Sequence, residues 1–253
     1  MPIVMKKARE VGLQRDRVED TIRLVPRDSK SVLEIGARDC YVSRLLTCVA
    51  ESVTALDLEI PTIDHDRIIP VAGDVTSLAF EDNTFDVVFC TEVLQHIPPT
   101  LLQTACDEIS RVSSRFILIG VPYKQDLRVG RTKCGTCGKR NPPWAHLSAF
   151  DKPRLMGLFG KLELIQESFV GQTRERTNFL STLLMDMAGN PNGTYHQDER
   201  CVHCGAKHVR PGERTLLQKA LTRAAFVIRT MQLRFVTPRP IWINVLFQKN
   251  QTG

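Results

Sequence analysis

Apolar and polar positions along this chain follow two periods, and the period switches at short intervals. Up to about residue 30, Val18, Ile22 and Val25 recur at helical spacing before Pro26, which predicts a helix there. Short apolar runs rich in branched residues then take over. SVLEIGA (31–37), SVTALDL (52–58), IIPVAGDV (68–75), FDVVFCT (85–91) and RFILIGVP (115–122) each read as a buried strand. Between them, YVSRLLTCVA (41–50) and PTLLQTACDEISRVS (99–113) carry helical patterns. Continuously apolar strands alternating with helices predict a parallel sheet with crossover helices on its faces, an α/β doubly wound architecture.

After Pro122 the regularity breaks. Residues 123–146 are rich in Gly, Pro, Cys and charge and read as an irregular insertion. DKPRLMGLFG (151–160) is a predicted helix, with Asp151 as N-cap and Pro153 in the first turn. KLELIQESFVG (161–171) is a sixth strand, and a second irregular region covers 188–212. ERTLLQKALTRAAFVIRTMQLRF (213–235) is a basic amphipathic helix whose apolar stripe includes Leu217, Leu221, Ala224, Ile228 and Met231. PIWINVLFQK (240–249) is the seventh and last strand. No repeat or low-complexity segment interrupts the chain, so one domain over 1–253 with two insertions is expected.

Composition adds bounds. With 253 residues, 42% hydrophobic and 25% charged, the chain can bury a core without covalent help. No apolar run reaches the ~18 residues a bilayer span needs, and MPIVMKKAREVGLQRDR holds no leader-like segment, so a cytoplasmic protein is expected. In a reducing compartment, eight cysteines point to metal or redox chemistry rather than structural disulfides. The net charge of +6 is concentrated late. From Cys201 onward Lys207, Arg210, Arg214, Lys219, Arg223, Arg229, Arg234, Arg239 and Lys249 are opposed only by Glu213. This is either a solvated helix face or the footprint of an anionic partner: a phosphorylated substrate, nucleic acid or a membrane surface.

The first strand ends in Glu34-Ile35-Gly36-Ala37-Arg38-Asp39-Cys40 and opens into a helix. Glycine there lets backbone approach a ligand, and the helix N-terminus offers N–H groups. About twenty residues on, Asp57 ends strand two, where a carboxylate can accept both hydroxyls of a ribose. Neither G-x-G-x-x-G nor G-K-[ST] occurs after the strand, which argues against a dinucleotide dehydrogenase and a P-loop enzyme.

With ALDLE, VAGDVTSLAFEDNTFDVVFCTEVLQHI and RFILIGVP, the segment VLEIGA resembles the class I S-adenosylmethionine-dependent methyltransferases. The resemblance covers roughly residues 30–122, with a similar finish in HLSAFDKPRLMGLF and the last two strands. It implies a Rossmann-like, mainly parallel seven-stranded sheet and S-adenosyl-L-methionine as cofactor. Glu34 and Gly36 would border the methionine part, with Ala37 alongside and Arg38 placed to pair with its carboxylate. Asp57, followed by Leu58, would hold the ribose, and Asp74 with Val75 would flank the adenine. Thr91, Glu92 and Gln95 would lie under the sulfonium. Arg38 and Cys40 occupy loop positions that are usually small or glycine.

The stretch CGTCGKRNPPWAH (134–146) joins two motifs. Asn141-Pro142-Pro143-Trp144 looks like the tetrapeptide of amino-methylating enzymes, but there it follows strand four, whereas here it follows strand five. It is therefore read as turn chemistry with a buried tryptophan. Cys134-x-x-Cys137 has a partner in Cys201-x-x-Cys204, and a glycine follows each pair, as in zinc knuckles. A structural Cys₄ zinc joining the two insertions is expected; redox pairs, or His196, His203 or His208 replacing one thiolate, are the alternatives. Cys40, Cys48, Cys90 and Cys106 read mostly as core.

A hydroxyl acceptor needs its proton removed. The candidate bases are His146, after strand five, and then His96, after strand four. The favoured function is methylation, O-methylation foremost, of a small-molecule acceptor such as a sugar or specialised metabolite, with an anionic group to match the basic end. RNA methylation and a non-catalytic interaction scaffold are the competing readings, and the basic helix also fits peripheral contact with an anionic membrane. The acceptor and the oligomeric state are not encoded in any motif.

Overall fold

A computed structural model describes residues 3–250 of the chain, which fall into two compact units. The first comprises residues up to 123, 150–171 and those from 240 on; the second comprises 124–149 and 172–239.

The first unit is built on a seven-stranded sheet. Its strands are β1 (Ser29–Ile35), β2 (Ala50–Asp57), β3 (Ile68–Ala72), β4 (Phe85–Thr91), β5 (Ser113–Pro122), β8 (Glu163–Val170) and β9 (Trp242–Gln248). Between β5 and β8 in sequence come β6 (Thr132–Lys133) and β7 (Arg140–Asn141), which belong to the second unit. The sheet order is β3-β2-β1-β4-β5-β9-β8. The first five sheet strands pair in parallel, and β9 lies antiparallel between β5 and β8. The chain runs outward from β1 to β3 on one side and restarts at β4 on the other. That reversal opens a crevice beyond the carboxyl ends of β1 and β4.

Alternation along β4 shows why these runs become buried strands. Val88 and Cys90 face one apolar layer with Leu33, Ile35, Ile117 and Ile119; Val87 and Phe89 face the other with Val32, Val53 and Leu118. Helix α3 (Leu102–Val112) covers the first layer with Leu102, Ala105, Cys106, Ile109 and Val112, spaced to share one face. Leu24 and Val25, at and just past the end of α1 (Ile3–Leu24), and Leu46 of α2 (Tyr41–Leu46) cover the second. The helix expected over 41–50 stops at Leu46, because Ala50 already pairs with Ser29. Helix α4 (Lys152–Leu158) starts as expected: the Asp151 carboxylate accepts from the Arg154 N–H at 3.0 Å.

The second unit contains the β6–β7 ribbon and two helices, α5 (Phe179–Met187) and α6 (Leu216–Leu233). Sequence patterning left 172–187 unassigned. Its helix is announced only by a capping box in which the Asn178 side chain and Ser181 bond each other's backbone N–H. The expected stripe of α6 does not face inward. Leu217, Ala224 and Met231 are exposed and Leu221 and Ile228 half-buried, while Thr222 and Ala225 are buried.

Candidate functional site

The loop after β1 is tied down by its own amides. Gly36 and Ala37 N–H both donate to the Leu56 carbonyl, at 2.8 and 3.1 Å, and Cys40 N–H to that of Ala37 at 2.7 Å. Arg38 N–H donates to Asp57 Oδ2 at 2.8 Å, and Leu58 N–H to Asp57 Oδ1 at 2.7 Å. The amides expected to be open to a ligand therefore fasten the loop to β2. Gly36 has φ 82°, and a Cβ on it would collide with Val93, so the position admits only glycine. Arg38 and Cys40 adopt left-handed conformations, φ 45° and 57°, without being glycine. Ala37 and Cys40 are buried, whereas Arg38 and Leu58 are exposed. The Asp57 carboxylate keeps further acceptor capacity beside its two amides. Asp74 holds the turn after β3, accepting from Thr76 N–H and Oγ1 at 2.8 and 2.7 Å, and Val75 is buried.

The interior of this edge is polar. Glu34 is buried, and its carboxylate accepts from the Ser43 hydroxyl. Desolvation pushes its pKa up to about 7, against the Ser43 hydrogen bond, and nearby Asp39 and Asp57 push the same way. Glu92, with φ 60°, follows Thr91 at the end of β4, and its N–H donates to the Gly120 carbonyl at 2.9 Å. Burial raises the Glu92 pKa, opposed by the Arg17 charge and a hydrogen bond with Trp242. Glu92 Oε1 and both amide atoms of Gln95 are buried with no protein partner. Buried polar atoms are nearly always satisfied, so three orphans at one sheet edge mark a place for a polar ligand. The donor set is of a kind that would fit an aminoacyl nucleoside: a carboxylate with spare acceptor capacity, a polar turn at the end of β3, and two acids at the ends of β1 and β4.

His96 ends a single 3₁₀ turn (Leu94–His96) after β4, in the first unit, and is half-buried. His146 is buried in the second unit, after a turn at Pro143–Ala145. Its Nδ1 meets Gln125 Oε1 at 2.6 Å. With an acceptor oxygen there, a neutral imidazole would carry its proton on Nδ1. Gln125 also lines a cavity of about 570 Å³ whose walls include Lys124, Arg128, Arg176 and Arg239. Asp126 opposes them by pairing with Arg128 at 2.8 Å, and desolvation lowers the Arg239 pKa. Sequence reasoning missed Gln125 and this cavity, because its residues converge from segments far apart in the chain.

Four cysteines meet in the same unit. The Sγ atoms of Cys134, Cys137, Cys201 and Cys204 lie within 4.8 Å of one another, with Cys134–Cys204 and Cys137–Cys201 both at 3.7 Å. A disulfide would need ~2.05 Å. A zinc tetrahedron with Zn–S of ~2.3 Å has edges of roughly 3.8 Å, which these distances match. The two turns repeat each other. Gly138 N–H donates to the Cys134 carbonyl at 3.0 Å and Gly205 N–H to the Cys201 carbonyl at 2.9 Å, with φ 69° and 70°. N–H groups of Cys137 and Thr136 pull the Cys134 thiol down to about 6, while hydrogen bonds with Cys201, Cys137 and Cys134 push that of Cys204 up to about 12, so the four sulfurs share their protons unevenly. The histidines stand elsewhere: His203 contacts the Arg140 carbonyl, His208 the Thr132 hydroxyl, and His196 the Trp144 ring.

Asn141 is consumed structurally. Its Oδ1 accepts from Val202 N–H at 2.9 Å and its Nδ2 donates to the Lys139 carbonyl at 3.2 Å, linking one cysteine turn to the other. Trp144, expected to be buried, is 37% exposed, with a left-handed backbone (φ 56°) and its ring against His196. Of the lone cysteines, Cys40, Cys90 and Cys106 are core and Cys48 is exposed.

Residues 33–115 match a family model described as a methyltransferase domain. Comparison with curated proteins gave no match. Among solved structures, the chain is similar to a Bacillus halodurans methyltransferase (TM-score 0.58, 14% identity, covering 93% of this chain and 100% of that one). It is also similar to the N-methyltransferase NodS from Bradyrhizobium japonicum (0.52, 13%, 95% and 98%). A third similar chain comes from the complex between the Haloferax volcanii Trm112 methyltransferase activator and a methyltransferase (0.53, 12%, 96% and 95%). At these identities the structural likeness speaks for the fold, and the family match speaks for the domain. Residues 33–115 thus read as a methyltransferase domain, in a chain with the Rossmann-like methyltransferase fold.

Proposed function

We propose that the protein methylates a hydroxyl group on a small, anionic acceptor, such as an acidic sugar or a specialised metabolite. The observation that carries this reading is the Gln125–His146 pair beside the cavity with Lys124, Arg128, Arg176 and Arg239 in its walls. When bound, S-adenosylmethionine supplies an electrophilic methyl group. Asp57 would hold its ribose, Asp74 and Val75 its adenine, and Glu34, Gly36, Ala37, Arg38 and Leu58 its remaining contacts. Thr91, Glu92 and Gln95 would place polar groups under the sulfonium. His146, oriented by Gln125, would take the acceptor proton, with His96 as the second candidate. Positioning and proton removal together are sufficient machinery for an in-line methyl transfer. The four cysteines would hold a structural Zn²⁺, since four protein ligands leave no open position for catalysis.

The test is product formation, followed as S-adenosylhomocysteine, against hydroxylated sugars and metabolites presented with and without an acidic group. Turnover confined to the acidic set, lowered by about 10²–10⁴ in His146→Ala with cofactor affinity retained, is the expected result. Turnover restricted to uncharged acceptors or to RNA overturns the reading.

A further inference from the structure

Polar groups share the inward side of the helix pair α5–α6 with the buried Ala225 and the half-buried Leu184, Leu221 and Ile228: Ser181 on α5 bonds the buried Thr177 hydroxyl, Asn178 bonds Gln232 across the pair, and the buried Thr222 bonds the Gln218 carbonyl on α6. The outward side is apolar. On α5, Phe179 (78% exposed), Leu180, Leu183 and Met187 are all exposed. Their spacing places them on one arc of about 100°. On α6 the exposed set includes Leu216 (83%), Val227 and Met231, followed by Phe235 (89%) just past its end. Helices of soluble proteins point such residues inward, and large exposed apolar surfaces mark interaction sites.

The charges between these residues have one sign. Lys219, Arg223 and Arg234 are exposed among them, and no Asp or Glu occurs after Glu213. The only acid on α5, Asp186, has its side chain 5% exposed and paired with Arg131 and Arg140. A nucleic acid would satisfy the cations but leave the aliphatic and phenyl groups in water. An anionic phospholipid surface satisfies both, the apolar groups below the headgroups and the cations at the phosphates. No helix among the described residues is long and apolar enough to cross a membrane, so the pair would lie on the surface.

We propose that α5–α6 is a peripheral docking face for anionic phospholipid membranes. The test is co-sedimentation of the full chain with vesicles of pure phosphatidylcholine or of equimolar phosphatidylcholine and phosphatidylglycerol. Pelleting with the mixed vesicles only, weakened by salt, is expected. The pair Lys219→Glu/Arg223→Glu lowers vesicle affinity about tenfold or more. Phe179→Ser/Phe235→Ser lowers it comparably at an unchanged melting temperature, because both rings are solvent-exposed. Three results overturn the proposal. The first is no pelleting at low salt. The second is vesicle binding that survives Phe179→Ser/Phe235→Ser, which makes the face a purely electrostatic one suited to nucleic acid. The third is a self-association that these two substitutions abolish, which makes it a protein interface.

Discussion

Glu34 is caught between its position and its solvation. Its folded pKa, about 7, lies above the ordinary 4.5. A carboxyl raised in this way contributes stability fully below its unfolded pKa and loses it as pH rises toward 7. Glu34→Gln is therefore expected to melt like the parent near pH 4.5 and at a higher temperature near pH 8. The gap would be a few kcal/mol at most, at roughly 1.4 kcal/mol per pKa unit, and scanning calorimetry across that range checks it. Arg38, at φ 45°, stores strain that glycine would relieve, so Arg38→Gly should gain up to about 1 kcal/mol by denaturant titration. Asp57→Ala is expected to weaken S-adenosylhomocysteine binding at least tenfold in calorimetric titration, about the effect of losing one or two charge-assisted hydrogen bonds. These residues were legible because a strand end, a glycine and an acid twenty residues later form a local pattern. Gln125 was not, since nothing in its neighbours signals that it will meet a histidine in the fold.

At the scale of elements, the cysteine turns give the sharpest expectation. Two turns with matched glycines and 3.7 Å sulfur spacings should bind one zinc per chain, measured by atomic absorption after dialysis. Cys134→Ser or Cys201→Ser should release it and unravel the turns, seen as lost amide protection at 132–141 and 201–206. The CxxC spacing and following glycines made this cluster readable from sequence, although its two halves are far apart. Strand positions were readable too, because most are short runs rich in branched apolar residues bounded by polar turns. The orientation of α6 was not, and α5 was passed over. Periodicity predicts a buried stripe, and on α6 only Leu221 and Ile228 of that stripe turn partly inward, while Leu217, Ala224 and Met231 face out.

For the whole molecule, the two units should respond to different ligands. S-adenosylhomocysteine at a hundred times its Kd should stabilise the first unit by about 2.7 kcal/mol. Chelation should act on the second, so a thermal scan with both treatments is expected to resolve two transitions that shift independently. The fold class was legible because five strands, with helices between β1 and β2 and between β4 and β5, run through residues 31–122, while the assembly of each unit from separated segments was not. The place of β9 carries a consequence for biosynthesis. It sits between β5 and β8, so until residues 242–248 leave the ribosome those two strands face each other across a missing neighbour. Each then presents an open, hydrogen-bonding edge, the kind that recruits other chains. The nascent protein must be shielded along β5 throughout the synthesis of everything after it, and a ribosome that stalls before Trp242 should yield an aggregating product rather than a shortened enzyme.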